Sequence, residues 1–185
     1  MPSFERRIPE GDSRERMICA DCGFVAYENP KVVVGSVVAD GGRVLMCRRA
    51  IEPRRGYWTV PAGFLELGES AMQGAVRETA EEAGARVRIV APYAHFDVPH
   101  IGQAYIIYRA ALIDEGLAAG PESLEVKLVE PEAIPWPELA FPVVRHSLEL
   151  VLEDRRAGRY RSHQGALVRE DGRYVLKDHL GVELG

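Results

Sequence analysis

Gly63-Phe-Leu-Glu-Leu-Gly-Glu69-Ser-Ala-Met-Gln-Gly-Ala-Val-Arg77-Glu78-Thr-Ala-Glu81-Glu82-Ala-Gly84-Ala85 is the stretch that decides the fold. Its order is strand end, loop, helix, stop. Ser70 is a good N-cap, and Gln73 three residues on completes a capping box. Met72, Ala75, Val76, Thr79, Ala80 and Ala83 recur at helical spacing and predict one apolar face. Gly84 stands where a left-handed residue ends a helix. Gly74 lies on the acidic side, one turn before Glu78. A glycine inside a helix costs about 1 kcal/mol relative to alanine, so its presence points to close approach of a loop or ligand.

The opposite face carries Glu78, Glu81 and Glu82. Spacings of three and four residues bring such side chains within about 5–6 Å of one another. Three carboxylates so placed repel and call for a counter-charge. A divalent cation is the simplest one, because Mg²⁺ takes carboxylate oxygens and leaves positions for phosphates. A run of acidic residues can equally just face water.

The fixed positions Gly63, Glu69, Arg77, Glu78, Glu81, Glu82 and Gly84, with Thr79 and Ala85 at two small apolar positions, resemble the Nudix box throughout. The resemblance implies an α/β/α sandwich with a mixed sheet. It also implies hydrolysis of a nucleoside diphosphate linked to another group, with Mg²⁺ or Mn²⁺. Glu82 is then the first metal ligand, Glu78 shares the ion, and Glu81 binds metal or positions water. Ala62, just before the box glycine, would give its carbonyl to the metal. Glu69 and Arg77 would form a supporting ion pair. Glu66, in the same loop, is either an added ligand or a surface residue.

The 185 residues suit one domain with a small appendage, and 46% hydrophobic with 28% charged content is ordinary for a globular protein. A net charge of −5 gives no general grip on nucleic acid. Positive charge for an anionic substrate must be concentrated locally. The N-terminus lacks a secretory signal, no apolar stretch is long enough to span a membrane, and three cysteines do not suggest a disulfide scaffold. A cytoplasmic protein is expected.

Residues 1–30 are polar and broken by prolines, with a knuckle at Cys19-Ala-Asp-Cys22-Gly23. Structural zinc usually takes four ligands, and no second cysteine pair is present. The segment resembles the C-terminal half of the zinc ribbon found before some Nudix domains. Zinc held by Cys19 and Cys22 within one chain is not expected.

Residues 31–158 read as the Nudix domain. Lys31–Val38 and Arg43–Arg48 are strands around the turn Asp40-Gly-Gly42. Arg48, Arg49, Arg54 and Arg55 then cluster ahead of Trp58, and Arg48, Arg54 and Arg55 are candidate phosphate grips. Val87–Val90 is a strand, followed after Tyr93–Gln103 by another from Ala104 to Leu112. His100 and Gln103 are candidates to line the substrate cleft, and Phe96 or Tyr105 to stack a base or ribose. Beyond the box, Nudix enzymes draw a further carboxylate from a loop; Glu122 is preferred over Glu125 here. A strand at Val126–Val129 and a helix from Pro142 to near Gly158 complete the domain. Residues 159–185 read as an extension with a hairpin, covering the core or pairing with a second subunit.

The arginine stretch and the half ribbon resemble the branch holding FAD and ADP-ribose pyrophosphatases. The expected reaction is cleavage of FAD, ADP-ribose or a similar dinucleotide or nucleotide sugar, releasing AMP. NADH and nucleoside triphosphates stay open as substrates, as does a non-catalytic domain that senses ADP-ribose. A homodimer acting on small nucleotides, with no membrane or nucleic-acid partner, is the expected form.

Overall fold

The computed structural model describes residues 2–114 and 116–184. Two compact units divide the chain, one ending at Pro30 and one beginning at Lys31. The first is a three-stranded antiparallel sheet of β1 (Phe4–Arg7), β2 (Arg16–Cys19) and β3 (Val25–Ala26) in the order β1-β2-β3. Its turns are fixed by polar contacts, such as the Arg16–Asp12 ion pair at 3.0 Å.

The second unit is built on a nine-stranded mixed sheet. Its main path runs β10 (Ser123–Val129), β5 (Arg43–Arg49), β4 (Lys31–Asp40), β9 (Gln103–Leu112), β8 (Val87–Val98), β11 (His163–Glu170), β12 (Arg173–Lys177). Two short strands lie off that path: β6 (Trp58–Thr59) on β5 and β7 (Ala62–Phe64) on β4. β4 with β9 and β8 with β11 are parallel, and the other pairs are antiparallel.

Alternation along the central strands sorts the core into two layers. Val44 and Met46 of β5 pack in one cluster with Val143, Val144, Leu148 and Val151 of helix α2 (Pro142–Arg156). Leu45 and Cys47 face the other way, with Ala83 of helix α1 (Ala71–Ala83). One helix on each face gives the α/β/α sandwich that the family resemblance implies.

Two sequence expectations change. β8 extends to Val98 rather than stopping near Val90; Pro92 reads as a breaker, yet the strand accommodates it at an irregularity in pairing with β9. β10 begins at Ser123, so Glu125 lies within a strand. The hairpin read at the C-terminal end is β11 and β12, and β11 adds to β8 in parallel register from His163 opposite Ala94 to Ala166 opposite Asp97.

A buried polar knot fixes that addition. The Asp154 side chain is 1% exposed. Its Oδ2 accepts from the Tyr93 hydroxyl at 3.2 Å and the Arg161 N–H at 3.0 Å, and lies 2.8 Å from His163 Nε2. Burial pushes the Asp154 carboxyl up, but these partners outweigh it and hold it below the usual range. His163→Ala removes one partner from a buried carboxylate. It should lower unfolding stability in urea by about 1–3 kcal/mol; an unchanged midpoint would show that the knot does not anchor β11.

Candidate active site

The box loop is pressed between β4 and α1 because three glycines leave no side chain in the way. A Cβ on Gly35 would come within 2.5 Å of the Ala62 Cβ and 2.7 Å of the Pro61 carbonyl oxygen. One on Gly74 would come within 2.8 Å of both Glu69 Oε1 and Val34 Cγ2. At Gly63 a Cβ would overlap the Glu78 carboxylate. Ser70 and Gln73 form the capping box, and Gly84 ends α1 at φ 60°. The helix therefore starts and stops at fixed points against this stack.

Arg77 is the counter-charge for most of the acidic face. Its Nε and one terminal nitrogen grip Glu69 at 3.0 and 2.7 Å, and the other terminal nitrogen reaches Glu78 at 2.7 Å and Glu81 at 3.0 Å. It also donates to the Phe64 carbonyl at 3.1 Å, tying β7 to the helix. Hydrogen bonds from Arg77 and the Glu66 N–H pull the Glu69 carboxyl down to about 2. The cation inferred from carboxylate repulsion alone thus has a protein rival: a guanidinium already compensates Glu69, Glu78 and Glu81.

Glu82 is different. It is 6% exposed, and its Oε2 accepts from the Ala62 N–H at 3.1 Å. Burial pushes its pKa up to about 8; the Ala62 bond and Arg49 oppose this, while Glu78 and Glu122 add to it. Glu78 is also raised, mainly by burial, against the pull of Arg77. Glu122 raises both groups, so its charge reaches the pair on α1. Glu81 stays at the rim, with its side chain 59% exposed. Glu125 pairs with Lys127 at 3.1 Å.

The helix face needs correcting. Met72, expected in the apolar stripe, is 51% exposed, whereas Gly74, Ala75, Thr79, Glu82 and Ala83 are buried. Positions 75, 79, 82 and 83 follow the i, i+4, i+7, i+8 rule for a core-facing stripe. Glu82 therefore sits on the buried face rather than beside Glu81.

The proposed substrate contacts divide. Arg48 donates to the Gly56 carbonyl at 2.9 Å, and Arg54 stacks over Tyr57 at 5.1 Å. Both serve their own loop, and Arg55 is exposed. Arg49, passed over in the sequence, is the arginine whose charge is felt at Glu82 and Tyr105. It donates to the Pro53 carbonyl at 2.9 Å and lies over Phe141 at 5.1 Å. Strand alternation was the available signal: Arg49 falls two residues after Cys47, which faces α1. Phe96 is not a stacking platform, because it is fully buried in the α2-side core. Tyr105 is half-buried and donates to Gln103 Oε1 at 2.8 Å. His100 lies in the turn Pro99–Ile101, with its Nε2 3.2 Å from the Tyr174 hydroxyl. Cys47 is inert: burial, then the neighbouring Glu82, push its thiol up to about 12.

Among the described residues, no three His, Cys, Asp or Glu side chains converge as a ready-made metal cage. In the first unit, backbone N–H groups of Cys22 and Asp21 lower the Cys19 thiol. On α1, two carboxylates are turned onto Arg77. The donor set still fits a hard divalent cation: it is all oxygen, and Gly63 leaves a cradle for the Glu78 carboxylate that a Cβ would fill.

In metal-free protein, Glu82 holds its proton to about pH 8, whereas the unfolded chain releases it near 4.5. The folded state carries the extra proton between those values, so stability falls as pH rises through the window. In chelator, the melting temperature of the wild type should drop relative to Glu82→Gln from about pH 5 to 8, then run parallel. Parallel curves throughout would mean that Glu82 is ionised when folded.

The family model described as NUDIX domain matches residues 29–151, and the one described as Nudix N-terminal, a zinc-ribbon family, matches residues 2–28. The crystal structure of a NUDIX hydrolase from Nitrosomonas europaea is 46% identical, with a TM-score of 0.88 over 91% of this chain and 96% of that one. The mitochondrial NAD(P)H pyrophosphatase NUDT13 of Mus musculus is 30% identical over 65% of this chain and 33% of its own. The NAD-capped RNA hydrolase NudC of Pseudomonas aeruginosa is 28% identical over 82% of this chain and 54% of its own. The ADP-ribose pyrophosphatase of Methanocaldococcus jannaschii is 28% identical over 62% and 69%. The chain thus spans about a third of the NUDT13 length and about half of NudC. With the box loop, the carboxylate helix and the sandwich all in place, the chain belongs to the Nudix family.

Proposed function

We propose that this chain hydrolyses the diphosphate bond of a nucleoside diphosphate derivative, with Mg²⁺ or Mn²⁺ held by Glu78, Glu82, Glu81 and the Ala62 carbonyl. The observation that carries the reading is the packing of Glu78 and Glu82 against Ala62 and Gly63, with the Glu122 charge felt at both. When bound, such a cation neutralises phosphoryl charge and lowers the pKa of a coordinated water. Arg77 keeps the Glu78 carboxylate at the Gly63 backbone. Arg49 meets a phosphate oxygen, a role that its planar fork of donors suits. Glu122, exposed at the edge of the cluster, accepts the proton of the attacking water. The water oxygen bonds to phosphorus, the bond to the bridging oxygen breaks, and AMP and a second phosphate ester leave. His100, Gln103 and Tyr105 line the position of the attached group.

The relatives are named for NAD(P)H, ADP-ribose and NAD-capped RNA. All contain a nucleoside diphosphate linkage, which supports a dinucleotide or nucleotide sugar; FAD belongs to the same chemical class. A homodimer and a cytoplasmic location are part of the proposal. Among the described residues, no helix is long and apolar enough to cross a membrane. Light scattering at twice the 20.5 kDa chain mass would support the dimer, and the single-chain mass would reject it.

A panel of FAD, ADP-ribose, NADH and nucleoside triphosphates, run with Mg²⁺ and with Mn²⁺, tests the chemistry. Metal-dependent AMP release is expected, reduced about 100-fold or more in Glu82→Gln. Arg49→Ala should raise KM about tenfold through loss of a charge-assisted contact. No turnover of any substrate, together with ADP-ribose binding by calorimetry, would replace the hydrolase with a sensor.

A further inference from the structure

The loop that follows β9 is fastened to the far end of the carboxylate helix. At its C-terminus α1 leaves carbonyl groups without partners inside the helix. The Ala118 N–H donates to the Ala83 carbonyl at 2.8 Å, and the Gly120 N–H to the Glu82 carbonyl at 3.2 Å. Gly120 closes the gap completely. A Cβ there would overlap the Glu81 carbonyl oxygen and lie 2.9 Å from the Glu81 carbonyl carbon. The obstruction is backbone, so no side-chain rotation relieves it. Two residues on, the Glu122 carbonyl accepts from the Ala50 N–H at 2.8 Å, and the Ser123 N–H returns to the Gly120 carbonyl at 3.0 Å. Glu122 is thus suspended between the end of α1 and the chain leaving β5.

We infer that Gly120 is a positioning residue: its close approach to the Glu81–Glu82 backbone locks the loop onto α1 and sets the Glu122 carboxylate opposite Glu78 and Glu82. The inference rests on the proposed role of Glu122 at the hydrolytic site. It explains how a carboxylate some forty residues from the box keeps register with it. The helix that presents Glu78 and Glu82 also holds, through its own terminal carbonyls, the loop that presents Glu122. The same loop places Ala118 against Gly84, where a Cβ would come within 2.9 Å of Ala118. A helix-ending residue without a side chain is therefore needed for docking as well as for its backbone angle.

The test is a double-mutant cycle in the full chain, with two readouts: Mn²⁺ binding followed by the free-ion electron paramagnetic resonance signal, and hydrolysis of ADP-ribose. Gly120→Ala should lower kcat by about tenfold, the scale of losing support behind a placed functional group, while Mn²⁺ binding by Glu78, Glu81, Glu82 and the Ala62 carbonyl stays near wild type. Added to Glu122→Gln, it should cost nothing further, because both changes remove the same placed carboxylate. Gly116→Ala is the loop control; among the described residues its Cβ would meet only Asp114 Oδ1, at 3.4 Å, and it should match wild type. If Gly120→Ala fails to fold, the exposed Ala118→Asp sets a negative charge against the negative end of α1 and should reproduce the loss, again only when Glu122 is present. Full additivity with Glu122→Gln, or wild-type turnover in the position-120 and position-118 variants, overturns the inference. Glu82→Gln run alongside separates the two levels. Its loss of activity beside an active Gly120→Ala defeats only the positioning role, whereas an active Glu82→Gln defeats the hydrolytic reading beneath it.

Discussion

The Glu78 carboxylate lies where any residue other than glycine at position 63 would put its side chain. That contact seats the carboxylate directly on the β7 backbone, where the Arg77 hydrogen bond holds it. Gly35 lets β7 come down onto β4, and Gly74 lets the loop and Val34 close on the helix. Glu82 reaches the Ala62 N–H only because the strand is this near. A side chain at Gly63 would displace the Glu78 carboxylate, one at Gly74 would press on Glu69, and one at Gly35 would press on the Pro61–Ala62 backbone.

Charge on the helix is balanced in two ways. Arg77 holds Glu69 with one edge of its guanidinium, Nε and a terminal nitrogen, and its other terminal nitrogen donates to Glu78 and Glu81. Glu82 has no such partner, is buried, and takes up a proton instead. A buried carboxylate that must lose a proton before it can take a cation couples metal uptake to pH. The site is therefore held ready by Arg77 without being saturated by it, and Glu82 carries the electrostatic cost that a divalent ion would remove.

The box and its capping residues were legible in the sequence because each is local: Ser70 and Gln73 are three apart, and Gly84 ends a helix of ordinary length; the sandwich came only with the family resemblance. The burial of Glu82 is legible in its spacing, since positions 75, 79, 82 and 83 share a face and only its charge argues otherwise. The direction of Phe96 was not legible in the same way. Which way a strand residue points depends on register, and register is set by partners far off in the chain. Phe96 lies opposite Tyr105 across a strand pair whose irregularity at Pro92 hid the strand itself. The docking of β11 on β8 depends on Asp154, Tyr93 and His163, three residues from three elements that no spacing connects.

Affinity of metal-free Gly63→Ala for Mn²⁺, followed by electron paramagnetic resonance with circular dichroism to confirm folding, tests the central claim most directly. The account predicts a folded protein whose Mn²⁺ binding falls by about tenfold or more, because the new methyl displaces the Glu78 carboxylate from its cradle. A folded variant that binds Mn²⁺ as tightly as the wild type would contradict it, and would place the cation, and with it the chemistry, away from Gly63.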